Sequence, residues 1–134
     1  MVRMDVLGSR VLLHPTDLAR SLNWYDEVLG LQRAREFGGG GRITGVVYFL
    51  GGGFLEVSSP RGLDAGPLNE GVDLWLQVPD VDAEHHRVAA LGAEVLAPPQ
   101  TMPWGLRECW VADPDGLRIC LVQVPEDHPL RRRY

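Results

Sequence analysis

Apolar positions early in the chain recur at the spacing of an amphipathic helix. They stand at i, i+4, i+7 and i+11: Leu18, Leu22, Tyr25 and Leu29. Asp17, after Pro15 and Thr16, suits the start of this helix, and Gly30 suits its end because glycine readily takes the left-handed conformation that closes helices. The pattern therefore predicts a strand at 11–13 followed by a helix over 18–29.

The same order of elements occurs twice. After the first helix, strand-like segments at 33–37, 43–50 and 54–58 are separated by the glycine runs 38–41 and 51–53, which we interpret as hairpin turns. The second round has a strand at 74–78, a helix from Pro79-Asp80 to Gly92, and strands near 94–96, 107–112 and 117–124. The apolar stripe of this second helix is Val81, Val88 and Leu91. The sequence Asp113-Pro114-Asp115-Gly116 predicts a turn between the last two.

This repetition predicts an α+β fold of two tandem βαβββ modules. Each half is too small to bury a sheet alone, so we expect one shared core and a single domain over 1–134. The expected boundaries are about 8–58 for module one, 59–70 for a polar linker rich in Gly and Pro, about 71–124 for module two and 125–134 for a tail.

Composition excludes several classes of function. The 134 residues are 45% apolar and 23% charged, which is typical of a globular domain. A formal net charge of −5 argues against nucleic acid as a partner. No apolar run approaches the roughly 18–20 residues that cross a bilayer, and the N-terminal residues do not resemble a signal peptide. Two cysteines, Cys109 and Cys120, are too few for a disulfide framework and favour a cytoplasmic setting.

An ordered set of motifs across both halves resembles the vicinal oxygen chelate superfamily, which includes glyoxalase I, extradiol dioxygenases and the fosfomycin and bleomycin resistance proteins. The matching segments are 17–25, 28–31, 80–83, 90–92, 102–105 and 113–116. The resemblance implies a cup-shaped mixed sheet with the helices outside. It also implies a ligand cavity that a second chain often completes in a homodimer.

Enzymes of this superfamily usually bind a divalent metal through His and Glu side chains. The resemblance places the four ligand positions at Arg10, Glu56, Asp73 and Cys120. Because a guanidinium has no lone pair and stays protonated, Arg10 is unsuited to hold a metal ion. We expect no metal and no other cofactor, and we expect Arg10 to pair with Glu56 or Asp73. His14 shares the face of Arg10 only if the first strand continues to Pro15.

Strand alternation groups the residues that face the same way as these four positions. The opposite faces, such as Val11 and Leu13 on the first strand, are uniformly apolar, as a core packed under helices requires. The set itself mixes charged, polar and aromatic groups, which favours a cavity. Indole rings with a few polar anchors suit an aromatic ligand. Trp104 is expected on a loop or strand edge, and the face of Trp110 is undetermined. The candidate ligand-binding residues are Arg10, Leu12, His14, Phe54, Glu56, Asp73, Trp75, Gln77, Trp104, Trp110 and Cys120.

The resemblance is closest in character to the bleomycin-resistance type, through the segment Pro103-Trp104-Gly105. The leading hypothesis is a non-enzymatic protein that sequesters an aromatic natural product without metal, so no catalytic residue is assigned. One alternative is a metal-dependent lyase or dioxygenase with displaced ligands, for example His14 with Glu56. Another is a metal-free isomerase or cyclase with Glu56 or Asp73 as general base. Cys120 is a nucleophile only if a nearby cation lowers its pKa.

Overall fold

The computed structural model describes residues 2–59 and 71–131. The chain divides into two compact units, Met1–Gly66 and Pro67–Tyr134, each with its own four-stranded sheet. Most of the predicted linker, residues 60–70, lies outside the described residues.

Unit 1 follows the predicted βαβββ order. Strand β1 (Arg10–Leu13) precedes helix α1 (Leu18–Asn23), and strands β2 (Arg33–Gly39), β3 (Arg42–Leu50) and β4 (Gly53–Ser58) come after it. The strand order is β1-β4-β3-β2, with β1 parallel to β4 and the other pairs antiparallel. The glycine runs at 38–41 and 51–53 lie at the two hairpin turns, as predicted.

Unit 2 repeats this arrangement. Strand β5 (Asp73–Gln77) precedes helix α2 (Val81–Ala90), which is followed by β6 (Glu94–Thr101), β7 (Arg107–Ala112) and β8 (Arg118–Gln123). The strand order is β5-β8-β7-β6, again with a single parallel pair between the first and last strands. The predicted α+β class and two tandem βαβββ modules are confirmed.

Equivalent residues begin and end the two helices. The carboxylates of Asp17 and Asp80 accept hydrogen bonds from the backbone N–H three residues on, each at 3.1 Å. These bonds satisfy amides that have no partner inside the helix. Gly30 and Gly92 follow the helical segments with φ of 80° and 90°. Both are in the left-handed region that glycine occupies without strain.

The predicted helix 18–29 is not α-helical throughout. After α1, residues Trp24–Leu29 form a π-helical segment, in which the N–H of Gly30 donates to the carbonyl of Tyr25 five residues earlier. Tyr48 of β3 donates to the Asp26 carboxylate at 2.9 Å, and Arg33 binds the same carboxylate through two nitrogens. These contacts secure the π-helical segment to the sheet. Hydrophobic spacing alone does not distinguish the two helix types.

Each sheet has one face toward its helix. In unit 2, Arg107 of β7 binds Asp82 of α2, and the Gln123 side chain of β8 accepts from the N–H of Val81. Every second residue counted from Arg107 and from Gln123 therefore faces the same helix. Those residues are buried and apolar: Cys109, Val111, Ile119 and Leu121. The sequence predicted this face for Ile119 and Leu121 and left the faces of β7 undetermined.

Three details of the prediction were wrong. Val11 was expected in the core but is 42% exposed, since β1 is an edge strand with only one neighbour. Leu91, assigned to the apolar stripe of the second helix, follows its last turn and is 51% exposed. Strand β6 extends to Thr101 rather than ending at 96. Pro98 and Pro99 lie within this edge strand, which tolerates proline because one side of its backbone is unpaired.

Within the described residues, no helix is both long enough and apolar enough to cross a membrane.

Candidate functional site

The face of the unit 1 sheet turned away from α1 contains a buried ion pair. Arg10 Nη1 lies 2.8 Å from Glu56 Oε1, and the Ser58 hydroxyl donates to the other carboxylate oxygen at 2.8 Å. The side chain of Glu56 is fully buried, whereas that of Arg10 is 39% exposed. Of the two partners expected for Arg10, the structure shows Glu56. The carboxylate is thus neutralised from within the unit.

This geometry disagrees with the metal site that the resemblance implies. A ligand carboxylate must supply its negative charge to the ion, but the charge of Glu56 is already neutralised by the Arg10 guanidinium. Arg10 contributes a positive charge at a first ligand position, which opposes binding of a cation. In residues 2–59 and 71–131, no three His, Cys, Asp or Glu side chains are grouped to hold a metal ion. The residues present do not fit a divalent metal.

Apolar side chains surround the Arg10–Glu56 pair. Leu12 is 49% exposed and Phe54 is 37% exposed, and the ring of Phe54 lies 5.7 Å from that of Phe49 on β3. His14 lies beyond the end of β1, where its Nδ1 is 3.0 Å from the Ser58 carbonyl oxygen. That contact is to backbone, so His14 and Glu56 do not form the displaced metal site considered above.

The corresponding face of unit 2 has a row of aromatic residues. Trp75 of β5 pairs directly with Cys120 of β8, which pairs directly with Trp110 of β7. The register therefore assigns Trp110, whose face was undetermined from the sequence, to the face of Trp75. We call this surface the tryptophan face. Its members are Asp73, Trp75, Gln77, Glu108, Trp110, Arg118, Cys120 and Val122.

An exposed ion pair lies at one end of the tryptophan face. Arg118 donates to both oxygens of Asp73, at 2.9 and 3.0 Å, and its guanidinium carbon lies 5.6 Å from the centre of the Trp110 ring. Asp73 thus pairs with Arg118 in its own unit. The Arg118 guanidinium thus lies over the ring of Trp110, whereas Trp75 is half exposed.

Glu108 is the member of this face that the sequence prediction missed. Its residue exposure is only 9%, and its carboxylate accepts from Trp104 Nε1 at 2.7 Å and from the Cys120 thiol at 3.7 Å. The predicted turn 113–116 does not supply the signal, because counting outward from it pairs Trp110 with Ile119. In the structure the Asp113 N–H donates to the Leu117 carbonyl, so the loop is one residue longer, Trp110 pairs with Cys120, and Glu108 lies on the same face.

Trp104 lies on the loop between β6 and β7, as expected, and is 56% exposed. A hydrogen bond from the Gly105 N–H to the Met102 carbonyl closes the loop. His128 Nε2 lies 3.1 Å from the Trp104 carbonyl oxygen, and Glu108 holds the indole nitrogen. These contacts fix an exposed aromatic ring beside the tryptophan face.

Cys120 is unsuited to nucleophilic catalysis. Burial, together with the negative charge of Glu108, raises the pKa of its thiol to about 12. A nucleophilic thiol needs a nearby cation that lowers its pKa. Arg10 is instead bound to Glu56, and the charged group that contacts the Cys120 thiol is the Glu108 carboxylate.

The structure therefore groups the candidate residues within each unit. Unit 1 brings Arg10, Glu56, Leu12 and Phe54 onto one face, with His14 beyond the strand end. Unit 2 places the remaining candidates on or beside the tryptophan face: Asp73, Trp75, Gln77, Trp104, Trp110 and Cys120.

Comparison with known proteins identifies relatives of this arrangement. The family model described as Glyoxalase/Bleomycin resistance protein/Dioxygenase superfamily matches residues 9–121. TioX from Micromonospora sp. ML1 is 27% identical, with a TM-score of 0.75, over 88% of this chain and 98% of that one. No curated protein matches the chain significantly.

Two further solved structures share the fold at lower identity. TnmS3, an antibiotic binding protein from Streptomyces sp. CB03234, is 22% identical with a TM-score of 0.72, over 92% of this chain and all of that one, 100%. A glyoxalase/bleomycin resistance protein/dioxygenase from Nocardioides is 18% identical with a TM-score of 0.71, over 96% of this chain and 90% of that one.

The Arg10–Glu56 pair gives a stability prediction. Arg10→Leu leaves the buried Glu56 carboxylate without its cation, and we expect the free energy of unfolding to fall by about 3 kcal/mol. Adding Glu56→Gln removes the uncompensated charge and is expected to restore more than half of that loss. Urea unfolding measures both effects, with Arg20→Leu at an exposed helical position as the control. A loss no larger than that of the control contradicts the assignment.

The raised pKa of Cys120 gives a pH prediction. The folded state keeps the thiol neutral up to pH about 12, whereas the unfolded chain ionises it near its ordinary value of 9.0. Stability from this group is thus complete below pH 9 and falls as pH rises from 9 toward 12. Urea midpoints at pH 8 and 10.5 should fall less for Cys120→Ala than for the unmodified chain. Equal decreases would show that Cys120 is not protected.

Proposed function

The chain belongs to the glyoxalase/bleomycin resistance protein/dioxygenase superfamily, and from that premise we propose that it is a small-molecule binding protein that sequesters an aromatic natural product without metal and without turnover. The observation that carries the proposal is the tryptophan face. Trp75 is 50% exposed and Trp104 is 56% exposed, although indole rings are usually buried when they serve packing alone.

The spacing of the tryptophans suits a flat ligand. Trp75 and Trp110 are two strands apart with Cys120 between them, which separates their backbones by about 10 Å. Cys120 between them is only 2% exposed, so a ring system stacks on the half-exposed indole of Trp75 rather than entering the space above the thiol. Trp104 adds a third aromatic surface from the loop.

Polar groups around the face supply orientation. Gln77 is exposed in the row next to Trp75, and Asp73 and Arg118 form a pair at the opposite end. A few polar groups beside an apolar surface are typical of small-molecule sites, where they select the orientation of the ligand.

The chemistry of unit 1 supports binding without metal. Glu56 is held by Arg10 and Ser58, so it is neither a metal ligand nor a free general base. Asp73 is likewise paired with Arg118. The two carboxylates considered for a metal-free isomerase are therefore engaged by cations, and this favours binding over catalysis. TnmS3, which shares the fold, is named an antibiotic binding protein, and this agrees with the proposal of ligand binding.

We also propose that the two units form one domain and that the chain is a cytoplasmic homodimer. Both cysteines are free thiols, which suits a reducing compartment. Apolar side chains are exposed along edge strand β1 and before it, including Leu12 at 49%, Val6 at 64% and Leu7 at 94%. An edge strand with exposed apolar residues readily pairs with a second copy.

Light scattering should give twice the chain mass of 14.8 kDa, and denaturant unfolding should give one transition. A mass of one chain would contradict the dimer, and two separate transitions would contradict the single domain.

Binding is tested with two probes, metal-free bleomycin and doxorubicin, titrated in the presence of a chelator. We expect quenching of tryptophan fluorescence with saturable binding of at least one probe. Trp75→Ala should weaken that binding by roughly 10–30-fold, because truncated aromatic anchors commonly cost 1.4–2 kcal/mol or more. Leu91→Ala removes an equally exposed apolar side chain elsewhere in unit 2 and should change binding less than twofold.

Mass spectrometry after prolonged incubation separates binding from turnover. The proposal expects each probe to be recovered unchanged. Conversion of a probe would make the protein an enzyme. Absence of binding by both probes, or equal affinity of Trp75→Ala and the unmodified chain, would overturn the assignment of this face.

A further inference from the structure

Glu108 differs from the other buried carboxylates in its partners. The buried acidic residues among those described are Glu56, Glu108 and Asp113. Glu56 is bound by the Arg10 guanidinium, and Asp113 accepts from the backbone N–H groups of Asp115 and Leu117 within its turn. The hydrogen-bond donors to Glu108 are an indole and a thiol, both neutral. Its negative charge is thus not balanced by an ion pair within the described chain.

The nearby cations are directed elsewhere. Arg118 is bound to Asp73 and pairs with Ala112 of β7. Ala112 is four residues from Glu108, which is about 13 Å along the strand. Arg107, next to Glu108 in sequence, lies on the opposite face of the strand, where it binds Asp82. His128 contacts the carbonyl oxygen of Trp104 and the N–H of Leu130.

This arrangement disfavours a purely structural role. A carboxylate buried without a cation is costly, and a glutamine of the same shape would satisfy the same indole donor without that cost. The formal charges on the tryptophan face are negative for Asp73 and Glu108 and positive for Arg118, which leaves a net charge of −1.

The surroundings of Glu108 match the chemistry that recognises an organic cation. Trp104 donates its indole nitrogen to the carboxylate, and Trp110 stands two residues along the same face of β7. Aromatic ring faces attract ammonium groups, and the attraction grows as the site is desolvated. A buried carboxylate beside two indoles therefore offers both an ion-pair partner and cation–π surfaces.

We propose that Glu108 is the specificity-determining residue of the binding site and pairs with a protonated amine carried by the aromatic ligand. This inference rests on the proposed function and names the ligand class, a planar aromatic molecule with an ammonium group. The flat part of the ligand stacks on the half-exposed indole of Trp75, and the ammonium group reaches the carboxylate beside Trp104.

The test compares a matched pair of probes. Doxorubicin carries a primary ammonium group, and N-acetyldoxorubicin has the same ring system without the charge. We expect the unmodified chain to bind doxorubicin at least tenfold more tightly than the acetylated probe. Glu108→Gln keeps the shape and the acceptor for Trp104, so it should abolish this preference while changing the affinity for the acetylated probe less than twofold.

Glu94→Gln is the control variant, because it removes the same charge from an exposed position on edge strand β6 of the same sheet. It should retain the preference for the amine. Thermal unfolding of Glu108→Gln shows that the variant is folded, and raising the salt concentration should weaken doxorubicin more than its acetylated form.

The outcomes separate the two proposals. If both probes bind the unmodified chain equally well, or if Glu108→Gln retains the amine preference, the role of Glu108 is overturned and the aromatic binding site stands. If neither form of doxorubicin binds, this inference fails, whereas the proposed function fails only if metal-free bleomycin does not bind either.

Discussion

The ion pair between Arg10 and Glu56 constrains what this protein can do. A carboxylate with no exposed surface requires a compensating partner, and here the partner is a guanidinium from the adjacent parallel strand. The pair occupies two positions that the superfamily resemblance assigns to metal ligands. With its oxygens engaged by Arg10 and Ser58, Glu56 stabilises the fold rather than coordinating an ion. In the proposed function, the ligand therefore contacts other side chains.

Those side chains lie on the tryptophan face of unit 2. Glu56 in unit 1 and Cys120 in unit 2 are equivalent positions on the last strand of each unit. Glu56 pairs with Leu12 and Val47, whereas Cys120 pairs with Trp75 and Trp110. The two units thus share one backbone arrangement but have different side chains at equivalent positions. Unit 1 contains a neutralised ion pair, whereas unit 2 presents indoles, a thiol and a buried carboxylate. The asymmetry shows that the aromatic residues of unit 2 are not part of the packing common to both modules, and it agrees with the proposed ligand binding.

Much of this fold could be predicted from the sequence because its signals are local. Asp17 and Asp80 mark the helix starts, glycines mark the turns, and strand alternation separates the apolar residues from the mixed set. The π-helical geometry of Trp24–Leu29 depends on Tyr48 and Arg33, which contact Asp26 from the strands, so helical spacing alone did not predict it. Val11 was misplaced for a similar reason, since burial on an edge strand depends on what covers it.

The candidate site was predictable to the extent that strand register was known. The expectation that Arg10 pairs with Glu56 or Asp73 rested on the resemblance, which groups these positions, and on their charges, but the choice between the two required the strand order. The face on which Trp110 and Glu108 lie depends on the register between β7 and β8, and a shift of one residue reverses it. The hydrogen bond between Glu108 and Trp104 depends on the conformation of a loop, which sequence periodicity does not specify.

The indole N–H signals of the four tryptophans, observed by two-dimensional NMR during titration with doxorubicin in chelator, test the central claim most directly. Each signal can be assigned by single substitution to phenylalanine. The account predicts large, saturable shifts for Trp75, Trp104 and Trp110 and none for Trp24, which is buried against Tyr25 in unit 1. Shifts confined to Trp24, or equal shifts of all four signals, would contradict a binding site on the tryptophan face.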